Sequence, residues 1–241
     1  MINPANDSQG GQVVSLADEE GVKKILVETI FSLWKTVNTL ARLRPSRHPH
    51  YRVSIFGSAR VQADTQDYAD VKRLAGALTR LGCEIITGGG PGLMQAANEG
   101  AAEADPDKTG RSKGICIELP FEQSANPFVE QCFDHGTFFT RLHHFVLTSD
   151  AFIVTPGGIG TVLETMMVWQ LLQVRHLHGI PLILVGPMWK GLVDWAGETM
   201  LKPSGPLISP EDLTIPTCVA TVDEALALLT EEYARWQANK S

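Results

Sequence analysis

Short apolar runs alternate with helix-length segments along most of this sequence, and that alternation limits the fold more than any other feature. The predicted strands lie near residues 53–56, 83–87, 114–119, 129–133, 151–155 and 181–185. Segments of helical periodicity lie near residues 67–81, 92–104 and 137–148, onward from 161, after 185, and over 222–237. Short, partly β-branched runs separated by helices are typical of a parallel sheet with both faces covered. The sequence therefore predicts a doubly wound α/β fold.

The chain before this pattern has a different composition. Residues 1–21 are polar and contain glycines, which predicts a disordered tail. Apolar side chains recur at helical spacing from Val22 to Leu43 and predict an amphipathic helix. The proline- and cation-rich stretch that follows is typical of a linker. We therefore expect a tail, then a helix and linker over residues 22–50, and then a single domain over residues 51–238.

Net charge and cysteine spacing argue against several kinds of site. The formal net charge is −7 at pH 7, which disfavours broad nucleic-acid or anionic-membrane binding but allows one local phosphate site. Cys83, Cys116, Cys132 and Cys218 stand singly, without the spacing of a zinc or redox motif. We predict buried, reduced thiols, no metal site and no cofactor.

The sequence also gives an expectation for location. Its first residues lack the basic start and apolar core of a secretion signal. A bilayer-spanning helix needs about 18 or more consecutive apolar residues, and the sequence contains no such run. We therefore expect a cytoplasmic protein that binds neither nucleic acid nor membranes.

Three of the predicted strands run into glycine-bearing loops. These loops read GSAR at 57–60, GGGPGLM at 88–94 and PGGIGT at 156–161. The carboxyl ends of parallel strands meet at one edge of the sheet, where doubly wound folds bind their ligands. Glycines let main-chain N–H groups approach a ligand, and a helix N-terminus beyond the loop favours a phosphate. Each loop alone could be a tight turn, but the three together indicate a phosphate site.

The glycine spacing does not match the two commonest phosphate motifs. In the dinucleotide fingerprint G-x-G-x-x-G the last position would fall on Leu93 or Leu163. A G-x-x-x-x-G-K-[ST] phosphate loop is also missing from the sequence. NAD-dependent and NTPase functions therefore lose their strongest support.

Thr161 and Glu164 allow two interpretations. Their spacing is that of a capping box, in which the threonine caps a helix and the glutamate accepts from the N–H of the cap residue. Alternatively, Glu164 lies close to a phosphate held by the amides of residues 157–161, where it could bind sugar hydroxyls or position a water. A neighbouring phosphate would raise the pKa of the carboxyl, because like charges disfavour ionisation.

Two of these motifs together resemble one protein family. GGGPGLM and PGGIGTVLE, in this order and separation, resemble the paired signature GGGxxGLM and PGGxGTxxE of the LONELY GUY family. Its members are cytokinin-activating nucleoside 5′-monophosphate phosphoribohydrolases, often labelled lysine decarboxylases. The resemblance covers roughly residues 52–230 and includes GSAR, IELPFEQSANPF of a longer-chain branch, and FFTRLHHF.

This resemblance implies a fold and an activity. The fold is Rossmann-like, and the protein is a homo-oligomer, either a homodimer or a larger assembly. The dense apolar positions after Glu164 fit a helix that also contacts another subunit. The activity is hydrolysis of the N-glycosidic bond of AMP or an N6-substituted AMP, such as a cytokinin riboside monophosphate. The products are the free base and ribose 5-phosphate.

The resemblance also implies site residues. It places catalysis on Arg141 and Glu164, and Leu142 stands where the family usually has a lysine. A carboxylate near the ribose stabilises an oxocarbenium-like transition state and orients water, while a guanidinium holds a phosphate or hydroxyl. The predicted substrate-binding residues are Gly57, Ser58, Gly89, Gly90, Met94, Gly157, Gly158, Gly160 and Thr161.

Two other functions and one role stay open at this point. The same loops would serve a non-catalytic nucleotide-binding or sensing protein. An amino-acid decarboxylase would need a Schiff-base lysine beside the glycine loops, and nothing in the sequence places Lys113 or Lys190 there. The acid that protonates the leaving base is not assigned, although four residues near Arg141 are candidates: Asp134, His135, His143 and His144.

Overall fold

The computed structural model describes residues 18–40, 49–117, 125–202 and 205–239. The chain divides into two compact units, Met1–Arg47 and His48–Ser241. In the first unit the described element is helix α1, Glu19–Leu40. The second unit contains the strands and the remaining helices.

Helix α1 begins inside the segment that was predicted to be a tail, so that boundary was wrong. Asp18 explains the early start, because its carboxylate accepts a hydrogen bond from Gly21 N at 3.0 Å. Aspartate is a favoured N-cap, and Glu19 and Glu20 add negative charge to the first turn, where the helix dipole favours it. The rest of the predicted tail, and much of the predicted linker, lie outside the described residues.

In the described part of the second unit, seven parallel strands form one sheet in the order β4-β3-β2-β1-β5-β6-β7. The strands are β1 (Arg52–Phe56), β2 (Glu84–Thr87), β3 (Ser112–Ile117), β4 (Gln131–His135), β5 (Ala151–Val154), β6 (Leu182–Val185) and β7 (Pro216–Val219). Strand β1 pairs with β2 on one side and β5 on the other, so the chain order reverses there. This topology confirms the doubly wound α/β prediction, and it makes the loops after β1 and β5 the expected ligand position.

Helices cover both faces of the sheet. They are α2 (Gln66–Leu81), α3 (Leu93–Ala104), α4 (Phe138–Thr148), α5 (Ile159–Gln173), α6 (Pro187–Met200) and α7 (Val222–Ala238). Side chains of α2, α3 and α7 pack in one core with Val53 and Ile55 of β1. Side chains of α4, α5 and α6 pack in the other core with Phe56 and Phe152. Among the described residues, no helix has the length and apolar character that crossing a membrane requires.

One strand at the sheet edge was not predicted. Strand β7 follows a 3-10 helix over Pro210–Thr214 and pairs with β6 alone. It is only four residues long, starts with a proline and exposes Thr217. Proline is tolerated at the first position of an edge strand, but such a segment lacks the continuous apolar run that identified the central strands.

The cysteine prediction was wrong for two of the four residues. Cys116 on β3 and Cys132 on β4 form a disulfide, with their Cα atoms 6.5 Å apart. Parallel pairing of the two strands brings these positions together although 16 residues separate them in the sequence. Cys83 and Cys218 are free; Cys83 is buried, whereas Cys218 is partly exposed.

Candidate functional site

The three glycine-bearing loops meet at the carboxyl edge of the sheet and are joined by main-chain hydrogen bonds. Ser58 N donates to Pro156 O at 3.0 Å, which joins the loops after β1 and β5. Leu93 N donates to Ser58 O at 2.8 Å, which joins the loops after β1 and β2. Gly92 has a φ of 67°, and a Cβ there would collide with the Ser58 carbonyl. The loops therefore form one continuous surface.

A cavity of about 610 Å³ opens over these loops and the ends of β3 and β4. Nearly all of the predicted site residues line it together: Gly57, Ser58, Gly89, Gly90, Met94, Arg141, Gly158, Gly160, Thr161 and Glu164. Gly157 is the exception among the predicted residues, and a Cβ there would collide with the Thr161 side chain. The fold thus brings residues from four segments of the chain to one place, while their roles stay predictions.

Arg141 and Glu164 form a buried ion pair in the cavity wall. Arg141 lies in the first turn of α4, which Thr137 caps, and Glu164 lies on α5. Arg141 Nη1 donates to Glu164 Oε1 at 3.0 Å, and Arg141 Nε donates to the carbonyl of Ile115 at 2.9 Å. The guanidinium carbon also lies 5.4 Å from the centre of the Phe145 ring. These contacts fix the planar fork of Arg141 in one orientation.

Burial raises the pKa of the Glu164 carboxyl to about 7, while the attraction of Arg141 lowers it. The exposed fraction of this residue is only 8%, and removal from water disfavours the charged carboxylate. A carboxyl group with a pKa near neutrality can both accept and release a proton at physiological pH. Strong perturbation inside a cavity is also typical of functional groups.

The capping-box interpretation of Thr161 and Glu164 was wrong. Helix α5 begins at Ile159 with Gly158 as its N-cap, so Thr161 lies inside the first turn instead of before it. The Glu164 carboxylate accepts from Arg141. A Cβ on Gly157 would collide with the Thr161 side chain, so this glycine lets the helix start close to the strand end.

A buried polar network supports the second glycine loop, and sequence reasoning did not find it. Asn98 Oδ1 accepts from Thr87 Oγ1 at 2.6 Å and from Asn126 Nδ2 at 2.9 Å. Asn126 Nδ2 also contacts the carbonyls of Gly89 and Gly90 at 3.1 Å and 3.0 Å. Buried networks of this kind hold loops in one conformation. The signal available in the sequence was an asparagine at an otherwise apolar position of α3.

The structure separates the four candidates for the leaving-group acid. Asp134 lines the cavity, whereas the three histidines are not among its described lining residues. His135 Nε2 lies 3.0 Å from His144 Nδ1 in a neighbouring cluster. Burial lowers the pKa of His135, His143 and His144.

Other lining residues that carried no assigned role are Ala59, Arg60, Gly88, Cys116, Ile117, Ala125, Phe138 and Ile159.

Neither candidate Schiff-base lysine reaches this site. Lys113 Nζ contacts Glu84 Oε2 at 2.8 Å, and Lys190 Nζ contacts Asp194 Oδ2 at 2.6 Å. Among the described residues that line the cavity there is no lysine. The geometry therefore gives no support to pyridoxal-dependent decarboxylation through these two residues.

Comparison with known proteins gives one family and one group of relatives. Residues 94–231 match the family model described as possible lysine decarboxylase. The pyrimidine/purine nucleotide 5′-monophosphate nucleosidase of Escherichia coli K12 is 31% identical over 127 residues, which is 50% of this chain and 28% of the relative. The protein of the same name from Escherichia coli O157:H7 gives the same values. The match to these curated relatives thus spans little more than a quarter of their length.

Two of the solved structures that match this chain illustrate the shared fold. The molybdenum cofactor carrier protein of Chlamydomonas reinhardtii has a TM-score of 0.52 and 18% identity, over 76% of this chain and 97% of that chain. The molybdenum cofactor binding protein of Rippkaea orientalis has a TM-score of 0.51 and 19% identity, over 77% of this chain and 98% of that chain. At such identities the likeness extends to the fold alone, and it agrees with the doubly wound sheet.

Proposed function

The chain belongs to the LONELY GUY family, whose family model carries the description possible lysine decarboxylase, and from this we propose that it hydrolyses the N-glycosidic bond of nucleoside 5′-monophosphates. The products would be the free base and ribose 5-phosphate. The proposal rests on one observation above all, the buried Arg141–Glu164 pair in a cavity bordered by three glycine loops. The nucleosidase relatives support the same class of reaction.

The phosphate would bind at the start of α5. Val162 N donates to Gly158 O at 3.0 Å, so the N–H groups of residues 159–161 precede the first hydrogen bond of the helix. Gly158 provides no side-chain cap. A helix of 15 residues adds a partial positive charge at this end. Arg60, which lines the cavity, adds a full positive charge near the loop after β1.

The catalytic step would use Glu164 and Arg141. Breaking the bond between ribose and base develops positive charge on the sugar, which a nearby carboxylate stabilises. Ionised Glu164 would also orient the attacking water and accept its proton, a role that suits a pKa near 7. Arg141 would hold a ribose hydroxyl or the phosphate while keeping the carboxylate in place.

We propose AMP or an N6-substituted AMP, such as a cytokinin riboside monophosphate, as the preferred substrate. Three apolar side chains that line the cavity, Met94, Ile117 and Phe138, support the binding of a flat base. A thioether and an aromatic ring both adapt to a purine face. The name of the relatives includes pyrimidines, so cytidine monophosphate is the informative comparison.

We also propose a cytoplasmic location, as predicted from the sequence.

We also propose a homodimer or a larger homo-oligomer. Apolar side chains on α4 and α5 are unusually exposed in the single chain: Phe138, Phe139, Ile159, Leu163 and Met166. Contiguous exposed apolar residues are typical of protein–protein interfaces. Light scattering after gel filtration should give a multiple of the 26.2 kDa chain mass, and Met166→Glu should reduce that mass. A wild-type chain that elutes as a monomer would contradict this part of the proposal.

Incubation with nucleotides tests the reaction directly. Purified protein is incubated separately with AMP, N6-isopentenyl-AMP and cytidine monophosphate, and free base and ribose 5-phosphate are separated by chromatography. We expect release of base from AMP or its N6-substituted form in equimolar amount with ribose 5-phosphate. Binding of all three nucleotides without release of any base would instead favour the nucleotide-sensing alternative.

A further inference from the structure

We propose that Cys116, Cys132 and Asp134 form a binding site for a thiophilic divalent metal ion, available when the Cys116–Cys132 disulfide is reduced. The two sulfur atoms and a carboxylate oxygen all lie within 4.8 Å of one another. Cys132 Sγ lies 3.4 Å from Asp134 Oδ1. This site goes beyond the proposed hydrolysis and uses neither Arg141 nor Glu164.

Strand pairing alone sets this ligand geometry. In the parallel register of β3 and β4, Cys116 is the direct partner of Asp134, and Gly114 is the direct partner of Cys132. Side chains two residues apart on a strand point to the same face. The three side chains therefore share one face of the sheet, and rigid strand backbones hold them more precisely than loops would.

Glycines leave room for the sulfur atoms. A Cβ on Gly114 would lie 3.2 Å from Cys116 Sγ, and a Cβ on Gly89 would collide with the same atom. The Cys116 sulfur thus occupies space between the second glycine loop and β3. The consequence is a local pocket that a side chain at either glycine position would fill.

The donor set fits a soft or borderline cation. Two thiolates and one carboxylate are ligands that zinc accepts, at about 2.3 Å for sulfur and 2.0–2.2 Å for oxygen. Zinc sites with three protein ligands keep a fourth position for water or substrate. Cys116 and Asp134 line the cavity, so the fourth position of the ion would face the space in which we expect the nucleotide base.

The oxidation state of the cysteines would control this site. A low-molecular-weight dithiol transfers two electrons and two protons to the disulfide, so the Cys116–Cys132 bond breaks and the dithiol becomes its own disulfide. The metal ion then displaces both thiol protons, because the thiolate is the ligand form. In the oxidised chain neither sulfur offers a thiolate, so Asp134 would be the one remaining ligand of the three.

Cobalt titration tests the site. The full chain is reduced with dithiothreitol, desalted under nitrogen and titrated with Co²⁺ alone. We expect a thiolate-to-cobalt charge-transfer absorption that saturates at one equivalent and disappears when Zn²⁺ is added. The oxidised chain should show no such absorption. A reduced wild-type chain without the absorption would overturn the proposal.

Three variants identify the ligands. Cys132→Ser should abolish the charge-transfer absorption or weaken Co²⁺ binding at least tenfold. Asp134→Asn should weaken Co²⁺ binding but leave the thiolate-to-cobalt absorption in place. Cys218→Ser makes the same chemical change at the other partly exposed thiol and should bind Co²⁺ as the wild type does. Circular dichroism confirms that each variant is folded. Undiminished Co²⁺ binding in folded Cys132→Ser would also overturn the proposal. Base release from AMP is a separate measurement, so failure of this site leaves the proposed hydrolysis intact.

Discussion

Two buried carboxylates make similar ion pairs in different surroundings. One lies at the carboxyl ends of the sheet strands, called here the carboxyl edge, and the other lies at their amino ends, called the amino edge. At the carboxyl edge, Glu164 pairs with Arg141, and their side chains are 10% and 9% exposed. At the amino edge, Glu84 pairs with Lys113 at 2.8 Å and with Arg52 at 3.3 Å, and its side chain is 7% exposed. Both carboxylates are buried and paired, so burial and pairing alone do not distinguish a catalytic carboxylate from one that only stabilises the fold.

The difference lies in what surrounds each pair. Glu164 faces the cavity of the glycine loops, whereas Glu84 is not among the described residues that line it. Glu84 contacts two cations, Arg52 and Lys113. Glu164 contacts one cation, Arg141, whose Nε also donates to a backbone carbonyl. In a doubly wound fold the ligand belongs at the carboxyl edge. We therefore expect Glu164 to act in turnover and Glu84 in stability.

The largest expected effect is the loss of turnover in Glu164→Gln. The amide keeps the size of the side chain but can neither accept a proton from water nor stabilise positive charge on ribose. We expect kcat for base release to fall by about 10²–10⁴-fold, or about 3–5 kcal/mol, with AMP affinity within a few-fold of wild type. An unchanged kcat in a folded variant would mean that Glu164 has a structural role, as we expect for Glu84, and is not catalytic.

The second expected effect is a pH-dependent loss of stability that Glu164 causes. Its pKa is raised from 4.5 to about 7 in the folded chain, so the folded state holds a proton that the unfolded state releases. Stability therefore falls as pH rises from about 4.5 to about 7, by up to roughly 3 kcal/mol. Urea unfolding across this range should show the fall in wild type relative to Glu164→Gln. Parallel curves for the two chains would contradict the raised pKa.

The third expected effect is a stability change without a catalytic change in Glu84→Gln. The substitution removes the carboxylate charge that Arg52 and Lys113 contact near the amino ends of the strands. Because both cations remain partly exposed, we expect a loss of about 1–3 kcal/mol, below the cost for a fully buried pair. Urea unfolding gives the loss, and kcat per folded molecule should stay at the wild-type value. A selective loss of kcat would break the contrast between the two edges.

The smallest expected effect comes from an exposed carboxylate. Glu103 contacts Lys72 at 2.8 Å, but the Glu103 side chain is 60% exposed. Exposed pairs contribute little, so Glu103→Gln should change stability by no more than about 0.5 kcal/mol and leave turnover unaltered. This variant is the matched control for Glu84→Gln in the same unfolding series. A loss as large as that of Glu84→Gln would mean that burial does not set the size of the effect.

The central fold and most of the cavity could be predicted because their signals are local. The run VSIF and the run AFIVT predicted β1 and β5 within one residue of their observed ends. Glycine loops at strand ends then placed Gly57, Gly89 and Gly158 at one edge. Such features follow from strand length, side-chain size and parallel topology alone.

The rest depended on contacts between distant segments. Thr161 and Glu164 have capping-box spacing, but the Glu164 carboxylate accepts a hydrogen bond from Arg141, which lies 23 residues earlier in the chain. Cys116 and Cys132 have no motif spacing, and only the register of β3 and β4 brings Cys116 to Cys132 and Asp134. Asn98 and Asn126 likewise meet through folding, 28 residues apart. Sequence spacing does not report partners of this kind.

AMP binding and adenine release, measured together, distinguish a catalytic Glu164 from a structural one. AMP binding by calorimetry and adenine release by chromatography are measured on the same preparations of wild type, Glu164→Gln and Glu84→Gln. We expect all three chains to bind AMP and only Glu164→Gln to lose adenine release. Adenine release from Glu164→Gln at the wild-type rate, or its loss in folded Glu84→Gln, would contradict a catalytic role for Glu164 and a structural role for Glu84.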